Sequence, residues 1–103
     1  MKCLLIKPWE HPKRIDIENE LHILQATVGG HIEVVYPFDD PVVIVCNEDG
    51  KIRNLPANRL LKDKDGVAYD VICGDFLVMG LDATHDFADL NDDLAAKYMD
   101  IFW

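Results

Sequence analysis

"VVIVCNEDGKIRNLPANRLL", residues 42–61, is the stretch on which the reading of the fold turns. Val42 to Cys46 are apolar at every position, so both faces of any strand built from them must be buried. That predicts a strand in the middle of a sheet. Glu48-Asp49-Gly50-Lys51 follows, and Asp-Gly is the signal of a tight hairpin. On this reading residues 51–54 return as a short polar strand that Pro56 ends. Residues 56–61 then form a single helical turn with proline at its start, where the missing N–H costs nothing.

Working outward, residues 2–7 and 13–17 read as strands. Pro8 and Pro12 exclude a helix between them and suit a hairpin loop, with Trp9 packed over the hairpin's end. Residues 19–30 read as a helix: Asn19 is the N-cap, Leu21, Leu24 and Val28 form an apolar stripe, and Gly29-Gly30 stops it. Residues 31–38 read as a strand, Asp39-Asp40-Pro41 as a turn, and Lys62 to Gly66 as a second, charged turn. Residues 68–80 read as one or two strands kinked at Gly74-Asp75, because glycine within a strand marks a bulge. An acidic connection, residues 81–89, leads to a closing helix capped by Asn91, with a stripe of Leu94, Tyr98 and Ile101. Phe102 and Trp103 are too apolar to dangle, so they dock on the core or on a second copy of the chain, which hints at a homodimer. The order of elements predicts an α+β fold: a single compact domain, residues 1–103, with a mixed or antiparallel sheet of about five to seven strands and two main helices packed on it.

With 103 residues, half of them apolar, the chain has the size and composition of one folded domain rather than of a disordered tail. No apolar run approaches the roughly 20 residues of a membrane helix, and the first apolar run is too short for a signal peptide. The expected setting is the cytoplasm, with no membrane attachment. Three cysteines, Cys3, Cys46 and Cys73, lie far apart in apolar runs, the pattern of buried free thiols rather than of a disulfide framework or a metal site. The formal charge of −9, from 19 acidic and 10 basic residues, argues against direct nucleic-acid binding, which needs a basic face. It favours solubility and a basic protein partner.

The residues give little footing for catalysis. There is no serine in the chain. Cys46 and Cys73 sit in apolar surroundings that disfavour a thiolate, and His11, His22, His31 and His85 have no ligand spacing. Phosphate-cradling glycine loops are absent. We expect no enzyme activity, no catalytic residue, no metal and no cofactor. The segment quoted above remains. Turn chemistry accounts for its glycine and most of its amides, but not for its two arginines. Asn47, Arg53, Asn54, Asn58 and Arg59, with Gly74, Asp75 and Phe76 from the kinked strand, are therefore the candidate ligand-binding residues. Trp9, Tyr36 and Phe76 are available for stacking.

Three stretches, "LQATVGGHIEVV", "VCNEDGKIRNLPANRLL" and "YDVICGDFLVMG", together resemble the small domain of unknown function numbered 3846. The resemblance rests on Gly29, Gly30, Ile32, Glu33, Asn47, Glu48, Gly50, Leu55, Pro56, Asn58, Arg59, Asp70, Ile72, Gly74 and Phe76. Asp75 departs from it, standing where a threonine is expected. The resemblance implies one compact domain, found in bacteria, phages and mobile elements, and brings no catalytic residues. It implies a non-enzymatic accessory or anti-defence protein. One such role is binding a small molecule, a nucleotide that it sequesters. The alternative is an acidic inhibitor that occupies the basic, DNA-binding surface of a host protein through the carboxylates at Asp82, Asp86, Asp89, Asp92 and Asp93.

Overall fold

Every pair of neighbouring strands in the computed structural model, which describes residues 1–103, runs antiparallel. In chain order the elements are β1 (Lys2–Ile6), β2 (Lys13–Asp16), α1 (Leu21–Val28), β3 (Ile32–Val35), β4 (Val42–Asn47), β5 (Ala57–Lys62), β6 (Ala68–Cys73), β7 (Phe76–Leu81), β8 (Phe87–Ala88) and α2 (Asp92–Ile101). Six strands form one sheet in the order β2-β1-β7-β4-β3, with β8 joined to β7. β5 and β6 form a separate two-stranded sheet. The fold is α+β, mostly β, and its radius of gyration of 12.7 Å is that of one folded domain.

β4 lies inside the main sheet, between β7 and the edge strand β3, with all six residues buried, as its apolar run predicts. Because side chains alternate, its residues divide between two cores. Val42, Ile44 and Cys46 pack with Leu61 and Ile72 of the hairpin and with Ala95 and Tyr98 of α2. Val43 and Val45 face the other side, beneath Leu24 of α1. The β5–β6 hairpin and α2 therefore share one face of the sheet, and α1 covers the other. Gly74 carries the chain from the hairpin layer into the sheet. Its φ of +86° favours glycine, and a Cβ there would also stand 2.8 Å from Leu55 Cδ1, which would have to move aside.

Several sequence expectations need correction. The segment after β4 is not a hairpin with a return strand at residues 51–54. The Asn47 side chain accepts the Asp49 N–H (2.8 Å), and the chain then makes one helical turn with Arg53 N–H donating to Asp49 O (2.8 Å). Asn54, at φ +54°, ends the turn: its N–H donates to Lys51 O and the Leu55 N–H to Gly50 O, the pattern of a helix closed by a left-handed residue. The helical turn expected at residues 56–61 is instead β5, aligned with β6 from Ala57↔Cys73 to Lys62↔Ala68. The partner strand and the burial of Leu61 override the local preference for a turn after proline.

At α1 the N-cap position is Glu20, in extended conformation with no side-chain cap, and Asn19 lies outside. The left-handed end at Gly29 (φ +80°) is as expected. The acidic connection contains β8, which pairs with Gly80 and Leu81. Asn91 caps α2 by accepting the Leu94 N–H (2.9 Å). Tyr98 and Phe102 are buried, whereas Ile101 and Trp103 are exposed. Trp9 does not pack over the β1–β2 hairpin; it is 87% exposed.

The buried Tyr98 hydroxyl donates to Asp40 Oδ2 (2.8 Å), which also accepts from Lys97 Nζ (2.6 Å). The Lys97 hydrogen bond, then that of Tyr98, hold the Asp40 carboxyl below its usual range. Burial and the adjoining carboxylate raise the phenol. A carboxyl whose folded pKa is lowered stabilises the fold above its unfolded value of about 3.9 and loses that contribution as pH falls through the folded value. Asp40→Asn is therefore expected to unfold at lower urea than the parent at pH 7. The gap should shrink between about pH 4 and pH 2, where Asp40 is protonated in the parent too. Urea midpoints across that range check it; a gap independent of pH contradicts it.

Candidate functional site

β1 ends at Ile6 because Pro8 cannot continue the ladder. Residues Lys7 to Glu10 then turn, with Glu10 N–H donating to Lys7 O (3.3 Å). Trp9 is the third residue of this turn, behind a proline, the position that takes a positive φ in a type II arrangement. Its φ is +62°. Left-handed backbone costs a residue with a side chain roughly 1–2 kcal/mol and ordinarily selects Gly or Asn. The loop thus holds a large indole almost wholly in solvent on a strained backbone. Such outliers concentrate at functional sites.

The loop is fixed from behind. Arg59 Nη2 donates to Glu10 O (2.6 Å), Arg59 Nε to Phe102 O (2.8 Å), and Arg59 Nη1 to Asn58 Oδ1 (2.8 Å). His11 stacks on Trp103 with ring centroids 3.8 Å apart. In front of the loop opens a groove of about 560 Å³. Trp9 and Lys7 form one wall, the end of α1 at Gly29 another, and Arg53, Gly74 and Asp75 the third.

Five of the ten basic side chains, Lys13, Arg14, Lys51, Lys64 and Lys97, are paired with carboxylates. Arg59 is occupied by the acceptors just described. Lys2, Lys7, Arg53 and Lys62 have no carboxylate partner, and of these Lys7 and Arg53 line this groove. Arg53 spends one nitrogen, Nη1, on Gly29 O (2.9 Å), where a cation also offsets the negative end of the α1 dipole. Its other donors are left for a ligand. The groove therefore combines a large aromatic face, two free cations and two carboxylates, Glu10, which is paired with Lys13, and Asp75, which has no partner.

Of the eight candidate residues, Arg53, Gly74 and Asp75 meet in the groove. The others serve the fold. Asn47 is buried, donating to Val28 O (3.1 Å) and accepting from Asp49. Asn54 ends the helical turn. Asn58 donates to Ile6 O (2.9 Å) and Gly74 O (2.8 Å), joining β5 to the main sheet. Phe76 lies in the core, its ring edge-on to Phe102. Tyr36 is exposed but outside the groove. A lysine before a proline carries no signal in the sequence; only the fold sets Lys7 on a wall of the groove that Arg53 also lines.

Burial pushes the Cys3 and Cys46 thiols up to about 11, so both are neutral near pH 7. No group of three or more His, Cys, Asp or Glu side chains is arranged to hold a metal ion. No helix is long and apolar enough to cross a membrane. The carboxylates of the acidic connection bind within the chain: Asp82 Oδ1 accepts from the Thr84 and Asp86 N–H groups (2.8 and 3.1 Å), and Asp89 Oδ1 from the Lys2 N–H (2.7 Å).

The family model described as Domain of unknown function (DUF3846) matches residues 1–102, so the chain belongs to that family. No curated protein and no solved structure matches the chain.

Proposed function

We propose that this member of the DUF3846 family is a non-enzymatic binding protein for a small planar anion, of which a nucleotide is the model case. The observation that carries the reading is the exposed Trp9 on left-handed backbone, facing a groove that holds two unpaired cations in a chain of net charge −9. An aromatic face takes any nucleobase by stacking, and Lys7 and Arg53 take the phosphate. Asp75 accepts from an amino group on the ring. The accessory role implied by the family resemblance, sequestering a nucleotide for a phage or mobile element against host defence, fits a binder without catalytic groups. The alternative, an acidic inhibitor of a basic host surface, draws less support, because three of the five carboxylates it needs, Asp82, Asp86 and Asp89, are held by hydrogen bonds within the chain.

Fluorescence titration tests the reading, with Trp103→Phe as the parent so that Trp9 is the sole indole. Adenosine 5′-monophosphate is expected to quench Trp9 and bind more tightly than either adenosine or inorganic phosphate. Lys7→Ala, which removes no bond within the fold, is expected to weaken binding by about tenfold, the scale of one charge-assisted contact. If the nucleotide bound no better than phosphate, or Lys7→Ala bound it as the parent does, the reading would fail.

A further inference from the structure

We propose a second site: the free edge of β5 docks an extended acidic peptide, held in the trough between β5 and the C-terminal end of α2. β5 has a hydrogen-bonded neighbour, β6, on one side and none on the other. A trough of about 540 Å³ touches every residue from Asn58 to Lys64 in succession. The cavity thus follows β5 from Asn58 to its end at Lys62 and the first two residues of the turn beyond, on the side where α2 ends. An open edge carries unpaired N–H and C=O groups, which an incoming strand completes.

The opposite wall supplies Phe38, Ile101 and Phe102. Ile101 and Leu60, facing the trough from its two sides, are 54% and 53% exposed. Alternate apolar side chains of a docked peptide would cover them. This trough shares no residue with the Trp9 groove.

The occupant follows from charge. Arg59, Lys62 and Lys64 line the trough against a single carboxylate, Asp63, in a chain of net charge −9. Asp63 Oδ1 is taken by the Asp65 and Val67 N–H groups (both 2.9 Å). Lys62 has no carboxylate partner. Lys64 meets Asp39 at 3.4 Å with both side chains almost fully exposed, a pair of little worth that a ligand displaces readily. Arg59, held by its carbonyl acceptors, adds field rather than contact. A second copy pairing through the same edge would bring two cationic rows together, and lysine on an edge is a common device against such self-pairing. A strand with carboxylates meets attraction instead.

The experiment uses two fluorescein-labelled heptapeptides, one alternating glutamate with valine and the other lysine with valine. The acidic peptide is expected to bind, with amide chemical-shift changes concentrated in residues 58–64, and the basic one not to. Lys62→Glu is expected to weaken the acidic peptide about tenfold, since it reverses an exposed charge contact. The urea midpoint of that variant, checked in parallel, should stay near the parent's. Methylating alternate backbone nitrogens of the peptide should abolish binding, because strand pairing needs those N–H groups. The proposal is overturned if the acidic peptide does not bind, if the basic one binds equally, or if the methylated peptide binds as well. It is also overturned if sedimentation shows a dimer whose formation shifts the β5 amides, since that assigns the edge to a second copy.

Discussion

Trp9→Gly is expected to raise the stability of the protein while weakening its binding of a planar anion. The two effects have separate causes. At φ +62° the tryptophan backbone is strained by roughly 1–2 kcal/mol, and glycine adopts that conformation freely. Glycine gives back about 0.5–1 kcal/mol through its greater freedom in the unfolded chain, leaving a net gain of about 0.5–1 kcal/mol. The indole is 87% exposed, so little packing is lost. Stacking on an aromatic side chain is worth about 1–3 kcal/mol per base, so affinity for adenosine 5′-monophosphate should fall about five- to 150-fold. Urea unfolding and isothermal titration on one preparation measure both. Loss of stability together with unchanged affinity would show that the indole serves the fold, and the proposed function would go with it.

Phe76→Ala has the largest expected effect on the fold. Phe76 is fully buried beside Gly74, where the chain leaves the hairpin layer, and its ring meets Phe102 at 5.6 Å and 79°. The substitution empties the centre of the core that the hairpin, α2 and the main sheet share. Truncating a buried phenylalanine costs about 3–5 kcal/mol. A domain of this size has about 5–15 kcal/mol in all, so the variant should be partly unfolded at 37 °C or close to it. Phe76→Leu, which leaves a smaller void, should fall between. Equilibrium urea curves read this directly; a loss below about 1 kcal/mol would mean that the hairpin layer closes over the cavity.

Much of the fold could be read from the residues because the deciding signals were local. The all-apolar run at Val42 to Cys46 names a central strand. Gly29 and Asn91 mark one end of each helix through their own backbone or side-chain chemistry. Gly74 announced a break in the strand. The reading failed where the decisive partner was distant in sequence. Residues 51–54 read as a strand and form the helical turn, whereas residues 56–61 read as a helical turn and form β5. What makes residues 57–62 a strand is β6, and what fastens them to the main sheet is Asn58 reaching Ile6 O across 52 residues.

The candidate site divides in the same manner. By itself the sequence determined that this is one α+β domain with free thiols, of which Cys3 and Cys46 are buried as expected and Cys73 is only half-buried, an acidic composition and two arginines that turn chemistry leaves unexplained. Only the tertiary structure decided between those arginines. Arg59 spends four of its five N–H donors on carbonyls, two of them from opposite ends of the chain, while Arg53 keeps donors free in the groove that Lys7 and Trp9 also line. The physical reason is that local sequence fixes backbone preference through φ, ψ and nearby hydrogen bonds. Whether a charge is spent or free depends on which acceptors the fold carries to it.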